Sequence, residues 1–280
     1  MKKWDAETIN KCYENSIHNF EDGIQHAAKQ GIPDFIEEYR VARVKDYIAE
    51  DIVAFSKEKS ESHILDAGCG HGWFVFRLFD KWKFSGHITG VDISSHNISI
   101  FKKEIAKRKM ENQISAKIAN VESLPFDDKS FDIIYATESI EHFNSLDTFF
   151  AESARLLKDD GVLIITTPSG PMHKFWKTIF FIPSFFYRLF FKKRSIDEPK
   201  SVFEHTYSKQ EIFNSVEKCH LFNCVKYQKN VMLPHESYIQ FLPRFLQVLT
   251  WKFALIFERI SFFKNRLGLH QIIYFKKINS

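Results

Sequence analysis

The chain has 280 residues, 39 Lys and Arg against 35 Asp and Glu for a net charge of +4, and 44% hydrophobic residues. It is long enough to bury a good core as one large domain, or one domain with insertions, and too mildly charged to point to nucleic acid by itself. Phenylalanine is in excess at 30 residues; an AT-rich genome would explain an even spread, an apolar ligand or a membrane surface a clustered one.

The first residues, Met1 to Glu7, lack the apolar core of a signal peptide. Residues 1–60 read as a helical cap, with apolar residues at three- and four-residue spacing from Phe35 to Ile48. Such a helix packs on the sheet edge or lids a ligand. From 61 to 170 strands and helices alternate. Ile64-Leu65 ends a first strand, and Asp66-Ala67-Gly68-Cys69-Gly70-His71-Gly72 forms a tight turn where a ligand meets bare backbone. A helix over Trp73 to Phe79 then turns its amide end toward that ligand. The spacing is G-x-G-x-G, not the G-x-G-x-x-G of a dinucleotide fold, and Trp73 follows the third glycine. Asp66 suits a ligand with a cationic amino group better than a pyrophosphate. A second strand, Ile88 to Val91, ends in Asp92, the usual place to hold ribose hydroxyls.

A helix over Ile98 to Met110 follows, then strands at Ile114–Ile118, Phe131–Ala136 and Gly161–Thr167. Continuous apolar runs separated by helices predict a parallel sheet covered on both faces, with ligands beyond the carboxyl ends of its strands. Two loops there carry chemistry. One is Asn120-Val121-Glu122-Ser123-Leu124-Pro125-Phe126. The other is Ala136-Thr137-Glu138-Ser139-Ile140-Glu141-His142-Phe143. A helix starting at Thr137 would bring Glu138, Glu141 and His142 to one face, a plausible divalent metal site. The four cysteines, Cys12, Cys69, Cys219 and Cys224, lack metal-type pair spacing and read as reduced thiols of a cytosolic protein. No internal repeat is visible.

This combination resembles the class I S-adenosylmethionine-dependent methyltransferases. The E-x-x-E-H run looks like that of the O-methyltransferases of ubiquinone biosynthesis, in the methyltransferase type 11 group. The resemblance implies an α/β, Rossmann-like, mostly parallel seven-stranded sheet with helices on both faces, whose seventh strand is antiparallel and inserts beside the fifth. It implies that Asp66, Gly68, Gly70, Gly72, Asp92, Ile93, Asn120, Val121 and Thr137 hold S-adenosylmethionine, Asn120 and Val121 at the adenine. It also gives Glu138, Glu141 and His142 to a divalent metal (Mg²⁺, Mn²⁺ or Zn²⁺). Metal-free relatives keep a Glu-His pair here as well, so the alternative is proton transfer by His142, beside Glu141. His205 stands where many relatives carry a pocket histidine; a surface turn is its other reading.

Past Pro168 the resemblance thins. Between 171 and 194 lie six Lys and Arg, no acid and nine aromatics from Phe175 to Phe191, too short a run to span a bilayer. A second aromatic-basic stretch, 234–268, keeps helical spacing from Phe241 to Phe263. Both suit anionic membrane, or helices capping the acceptor pocket. Between them Ser208 and Glu211 form a capping box, and Phe222–Gln228 and Gln271–Lys276 read as strands six and seven.

The expected organisation is a cap at 1–60, a cofactor-binding core at 61–170, an insertion at 171–204, and the rest of the core at 205–280 with a helical insertion at 234–268. The expected function is methyl transfer to a hydroxyl of an amphiphilic small molecule: a prenylated phenol, a lipid or a lipid-linked sugar. N-methylation of a small molecule or sugar, or adenosylmethionine binding without catalysis, are the alternatives. The expected location is cytoplasmic, peripheral on the inner face of a membrane, with no nucleic-acid partner; the oligomeric state stays open.

Overall fold

The structure is a computed structural model that describes residues 33–57, 61–172, 174, 175, 178, 205–231 and 242–278. The 171–194 cluster and the start of the 234–268 stretch lie largely outside the described residues.

Seven strands form one sheet in the order β3-β2-β1-β4-β5-β7-β6. They are β1 His63–Ala67, β2 His87–Asp92, β3 Ile114–Ile118, β4 Phe131–Thr137, β5 Leu157–Pro168, β6 Phe222–Asn230 and β7 His270–Lys277. The first five pair in parallel; β7 runs antiparallel to both β5 and β6. This is the sheet that the sequence resemblance implies, inserted antiparallel strand included. Every residue of β4 is buried, as a central strand covered on both faces requires. Period-two alternation sends Leu65, Ile134 and Ile165 to one core and Ile64, Ile133 and Ile164 to the other.

The helices are α1 Asp34–Lys57, α2 Trp73–Asp80, α3 Ser95–Arg108, α4 Leu146–Leu156, α5 Lys209–Cys219, α6 Arg244–Glu258 and α7 Ser261–Leu267. α3 starts ahead of the first apolar residue because the Ser94 hydroxyl accepts from the Asn97 amide at 3.2 Å. α1 runs well past Ile48, and Ile48, Ala49 and Ile52 pack into the same core as Phe74 and Val75 of α2. Asp46 binds both ends of the Arg77 guanidinium at 2.6 and 2.7 Å, and the Lys81 ammonium at 2.8 Å. α1 is therefore fastened to α2, the helix that follows the glycine turn.

Candidate active site at the carboxyl ends of the strands

β1, β2 and β4 deliver their carboxyl ends to one cleft, lined by Asp66, Gly68, Gly70, Asp92, Ile93, Asn120, Val121 and Thr137 among others. These are eight of the nine cofactor residues expected from sequence.

Gly72, the ninth, has a structural role. Its φ is +79°, and a β-carbon there would lie 2.1 Å from the Phe101 ring. Gly70 differs: φ is +54°, and a β-carbon would meet nothing within 4 Å. It opens onto the cleft. Its amide donates to Asp92 Oδ2 at 2.8 Å, while Asp92 Oδ1 accepts from the Ser94 amide at 2.8 Å. Asp92 thus fastens the glycine turn to the end of β2, and a carboxylate has lone pairs to spare for a ligand. Burial raises its carboxyl above the usual range, against those two amide bonds.

Asp66 is 2% exposed, and its Oδ1 has no hydrogen-bond partner among the described residues. Burial pushes its carboxyl up to about 7, opposed by the Lys45 ammonium. Lys45, on α1, lines the cleft. Its own ammonium is pushed down by burial, against the pull of Asp66, Glu138 and Glu141, and it stands 5.2 Å from the centroid of the Trp73 ring. Sequence reasoning missed Lys45. The signal was there: it lies three and seven residues before Ile48 and Ile52, a charge inside an apolar stripe. α1 therefore both packs on the core and walls the cleft.

The geometry gives the metal expectation no support. β4 runs through Thr137, which pairs with Thr166, so no helix starts there. Glu138 then takes φ +52° and Ile140–His142 forms a single 3₁₀ turn. The three side chains diverge. Glu138 Oε2 lies 2.8 Å from His270 Nδ1, and its Oε1 accepts from the Thr166 hydroxyl at 2.9 Å. Burial works to raise the Glu138 carboxyl, but His270, Thr166 and Lys45 together hold it below the usual range. Glu141 is buried away from the cleft lining and accepts from the Thr167 hydroxyl at 3.2 Å. His142 faces the cleft. Among the described residues no group of three His, Cys, Asp or Glu is placed to hold a metal ion.

His205 is also corrected. It does not line the cleft; its Nε2 is 3.6 Å from Glu211 Oε1 and its ring lies on Tyr207, centroids 4.3 Å apart. Glu211 belongs to the capping box that starts α5, where Ser208 N donates to Glu211 Oε2 at 2.7 Å. Asn120 sits at the rim, and its amide oxygen holds the turn by accepting from the Glu122 amide at 3.0 Å. His270 was not foreseen. Antiparallel β7 begins where β5 ends, with His270 opposite Pro168, so the topology brings its first residue to this sheet edge.

Residues 58–231 match the sequence profile of a methyltransferase domain family, more than half of the chain. The chain belongs to the class I S-adenosylmethionine-dependent methyltransferases. It is 35% identical over 130 residues to a ubiquinone biosynthesis O-methyltransferase of Pelagibacter ubique, 46% of this chain and 52% of the relative. It is 32% identical over 141 residues to a malonyl-[acyl-carrier protein] O-methyltransferase of Geobacter sulfurreducens, 50% of each. The chain thus spans about half the length of these curated relatives. Among solved structures, a geranyl diphosphate C-methyltransferase from Streptomyces coelicolor A3(2) superposes at TM-score 0.59, with 14% identity and 98% of each chain covered. The [4+2]-cyclase SpnF superposes at 0.55, with 16% identity, 84% of this chain and 81% of its own covered. Both likenesses are of fold alone. Two features of the cleft fit the methyltransferase cofactor: the unpartnered Asp66 oxygen matches its ammonium, and the open space over Gly70 admits a ligand against backbone.

Proposed function

We propose that the protein transfers the methyl group of S-adenosylmethionine to a hydroxyl of an amphiphilic small molecule: a prenylated phenol, a lipid or a lipid-linked sugar. The observation that carries the reading is the buried, unpartnered Asp66 oxygen in a cleft framed by Gly70 and Asp92. Asp66 holds the cofactor ammonium, Asp92 the ribose hydroxyls, and Asn120 with Val121 the adenine; Gly68, Ile93 and Thr137 complete the walls. When bound, the cofactor supplies an electrophilic methyl. The chain's task is to align the acceptor oxygen in line with it and remove the acceptor proton. His142 is the proton acceptor, since it lines the cleft and His205 and Glu141 do not. An O-methyl product is supported by the names of both relatives above. N-methylation is the second reading, favoured by the ionised Glu138 on the cleft wall, which would attract a protonated amine.

An amphiphilic acceptor resides at a bilayer, so the reading includes peripheral contact of a cytoplasmic protein with the inner face of a membrane. Incubation with methyl-labelled S-adenosylmethionine, offered prenylated and unprenylated catechols in parallel, tests the function. The label should enter the organic-extractable prenylated product. Binding of cofactor with no transfer to any hydroxyl or amine acceptor would leave adenosylmethionine binding without catalysis.

A further inference from the structure

Helix α6 is apolar on its outer face as well as its inner one. Its large apolar residues Phe245, Leu249, Phe253 and Ile256, at i, i+4, i+8 and i+11, are exposed, Phe245 at 69%. Its opposite face, Gln247, Ala254 and Glu258, is buried, with Gln247 at 2% and Glu258 at 6%. That inner face is held both by apolar packing, Ala254 with Val248 and Trp251 against Ile36, Val44 and Val231, and by polar contacts: Glu258 bonds Tyr39 and Arg43 of α1, and the Gln247 amide donates to the Leu242 carbonyl at 2.9 Å. A helix with water on its outside would carry polar residues there instead. The stripe continues through Ile260 to Phe262 of α7, exposed at 43% and 64%. A contiguous apolar face of this kind marks an interaction surface.

Charge identifies the occupant. Arg244, Lys252, Arg259 and Arg266 are exposed along the same two helices. Glu258 is the sole acid between Leu242 and Lys277, and it is buried. A second copy of the chain seated on this face would set these cations against themselves. α6, at 15 residues, cannot cross a bilayer, and no helix among the described residues is long and apolar enough to do so. We propose that α6 and α7 form a docking surface for an anionic bilayer, α6 lying in the interface plane with Phe245, Leu249, Phe253 and Ile256 in the acyl boundary and the arginines and Lys252 among the headgroups.

The inference rests on the membrane-contact part of the proposed function and on no part of methyl transfer; it assigns that contact to one face. The test is flotation of the full chain with phosphatidylcholine vesicles, with and without phosphatidylglycerol, at low and physiological salt. The wild type should float with the anionic vesicles and release as salt rises. Lys252→Gln with Arg259→Gln should weaken binding about 25-fold, about fivefold for each charge. Phe245→Ser with Phe253→Ser should weaken it tenfold or more. These side chains are exposed, so circular dichroism and S-adenosylmethionine affinity should stay at wild-type values. Wild-type flotation that both double variants leave unchanged would overturn the α6–α7 assignment while membrane contact stood. No flotation at low salt would overturn both. A wild-type dimer in light scattering that Phe245→Ser with Phe253→Ser converts to monomer would give this face to a second copy, and would also overturn the assignment.

Discussion

Replacing Asp66 by Asn should make the cofactor-free protein more stable and the cofactor weaker. Burial moves the Asp66 carboxyl from its ordinary 3.8 to about 7. A raised carboxyl means that the folded chain holds a proton that the unfolded chain releases. Stability is therefore fully present below about pH 4, falls as pH rises to about 7, and stays reduced above it. At about 1.4 kcal/mol per pH unit, the cost near pH 8 is at most about 4 kcal/mol. An asparagine side chain cannot ionise and escapes it. The variant should thus exceed wild type in urea unfolding near pH 8 by up to about 4 kcal/mol, and by little near pH 4. Cofactor binding has the opposite requirement. The ammonium needs the carboxylate, so binding expels the Asp66 proton, and wild-type affinity should fall about tenfold per pH unit below 7. The Asp66→Asn variant should bind weakly with no such dependence. Urea titration and calorimetry at the two ends of this range read both effects. An Asp66→Asn variant destabilised equally at both pH values would refute the raised Asp66 carboxyl, and a wild-type affinity flat from about pH 6 to 7.5 would refute the assignment of Asp66 to the ammonium.

Gly70→Val should abolish cofactor binding while costing about 1–2 kcal/mol of stability for its left-handed backbone, because the new β-carbon meets no protein atom within 4 Å and the side chain projects into the cleft. Gly72→Ala should instead destabilise the fold by about 2–4 kcal/mol in thermal unfolding, since its β-carbon drives into Phe101. Asp92→Ala should weaken cofactor affinity by about 1.5–3 kcal/mol in calorimetry and also lower stability, as the Gly70 and Ser94 amides lose their acceptor. His142→Ala should slow turnover roughly 10²–10⁴-fold with cofactor affinity nearly intact, and a chelator should leave wild-type turnover unchanged; chelator-sensitive turnover restored by a divalent metal would reinstate a metal role.

The fold was legible because its signals are local. Continuous apolar runs at 64–65, 88–91, 131–136 and 161–167 have one comfortable arrangement, a covered parallel sheet, and G-x-G-x-G after a strand marks the ligand turn. The cleft lining from Asp66, Gly70, Asp92 and Val121 was legible because these residues cluster at the ends of those strands. The acceptor half was not. Whether Thr137 opens a helix or closes a strand depends on its pairing with Thr166, and helical spacing at 138–142 cannot report that. Once Glu138 turns left-handed, Glu141 leaves the cleft and meets Thr167. Lys45 and His270 reach the site from distant segments, through the docking of α1 on α2 and the antiparallel insertion of β7, contacts of long range in sequence. The aromatic-basic reading of the stretch from 234 found the composition of α6 but not which of its apolar residues stay outside. That depends on Trp251 and Ala254 packing with Ile36 and Val44, and on Tyr39 and Arg43 claiming Glu258 for the inside.

Calorimetric titration of the full chain with S-adenosylmethionine and, separately, NAD tests the central claim most directly. Saturable one-site binding of S-adenosylmethionine, lost in Gly70→Val, and no heat from NAD are the predicted results. Binding of NAD, or S-adenosylmethionine binding that Gly70→Val leaves intact, would contradict the account.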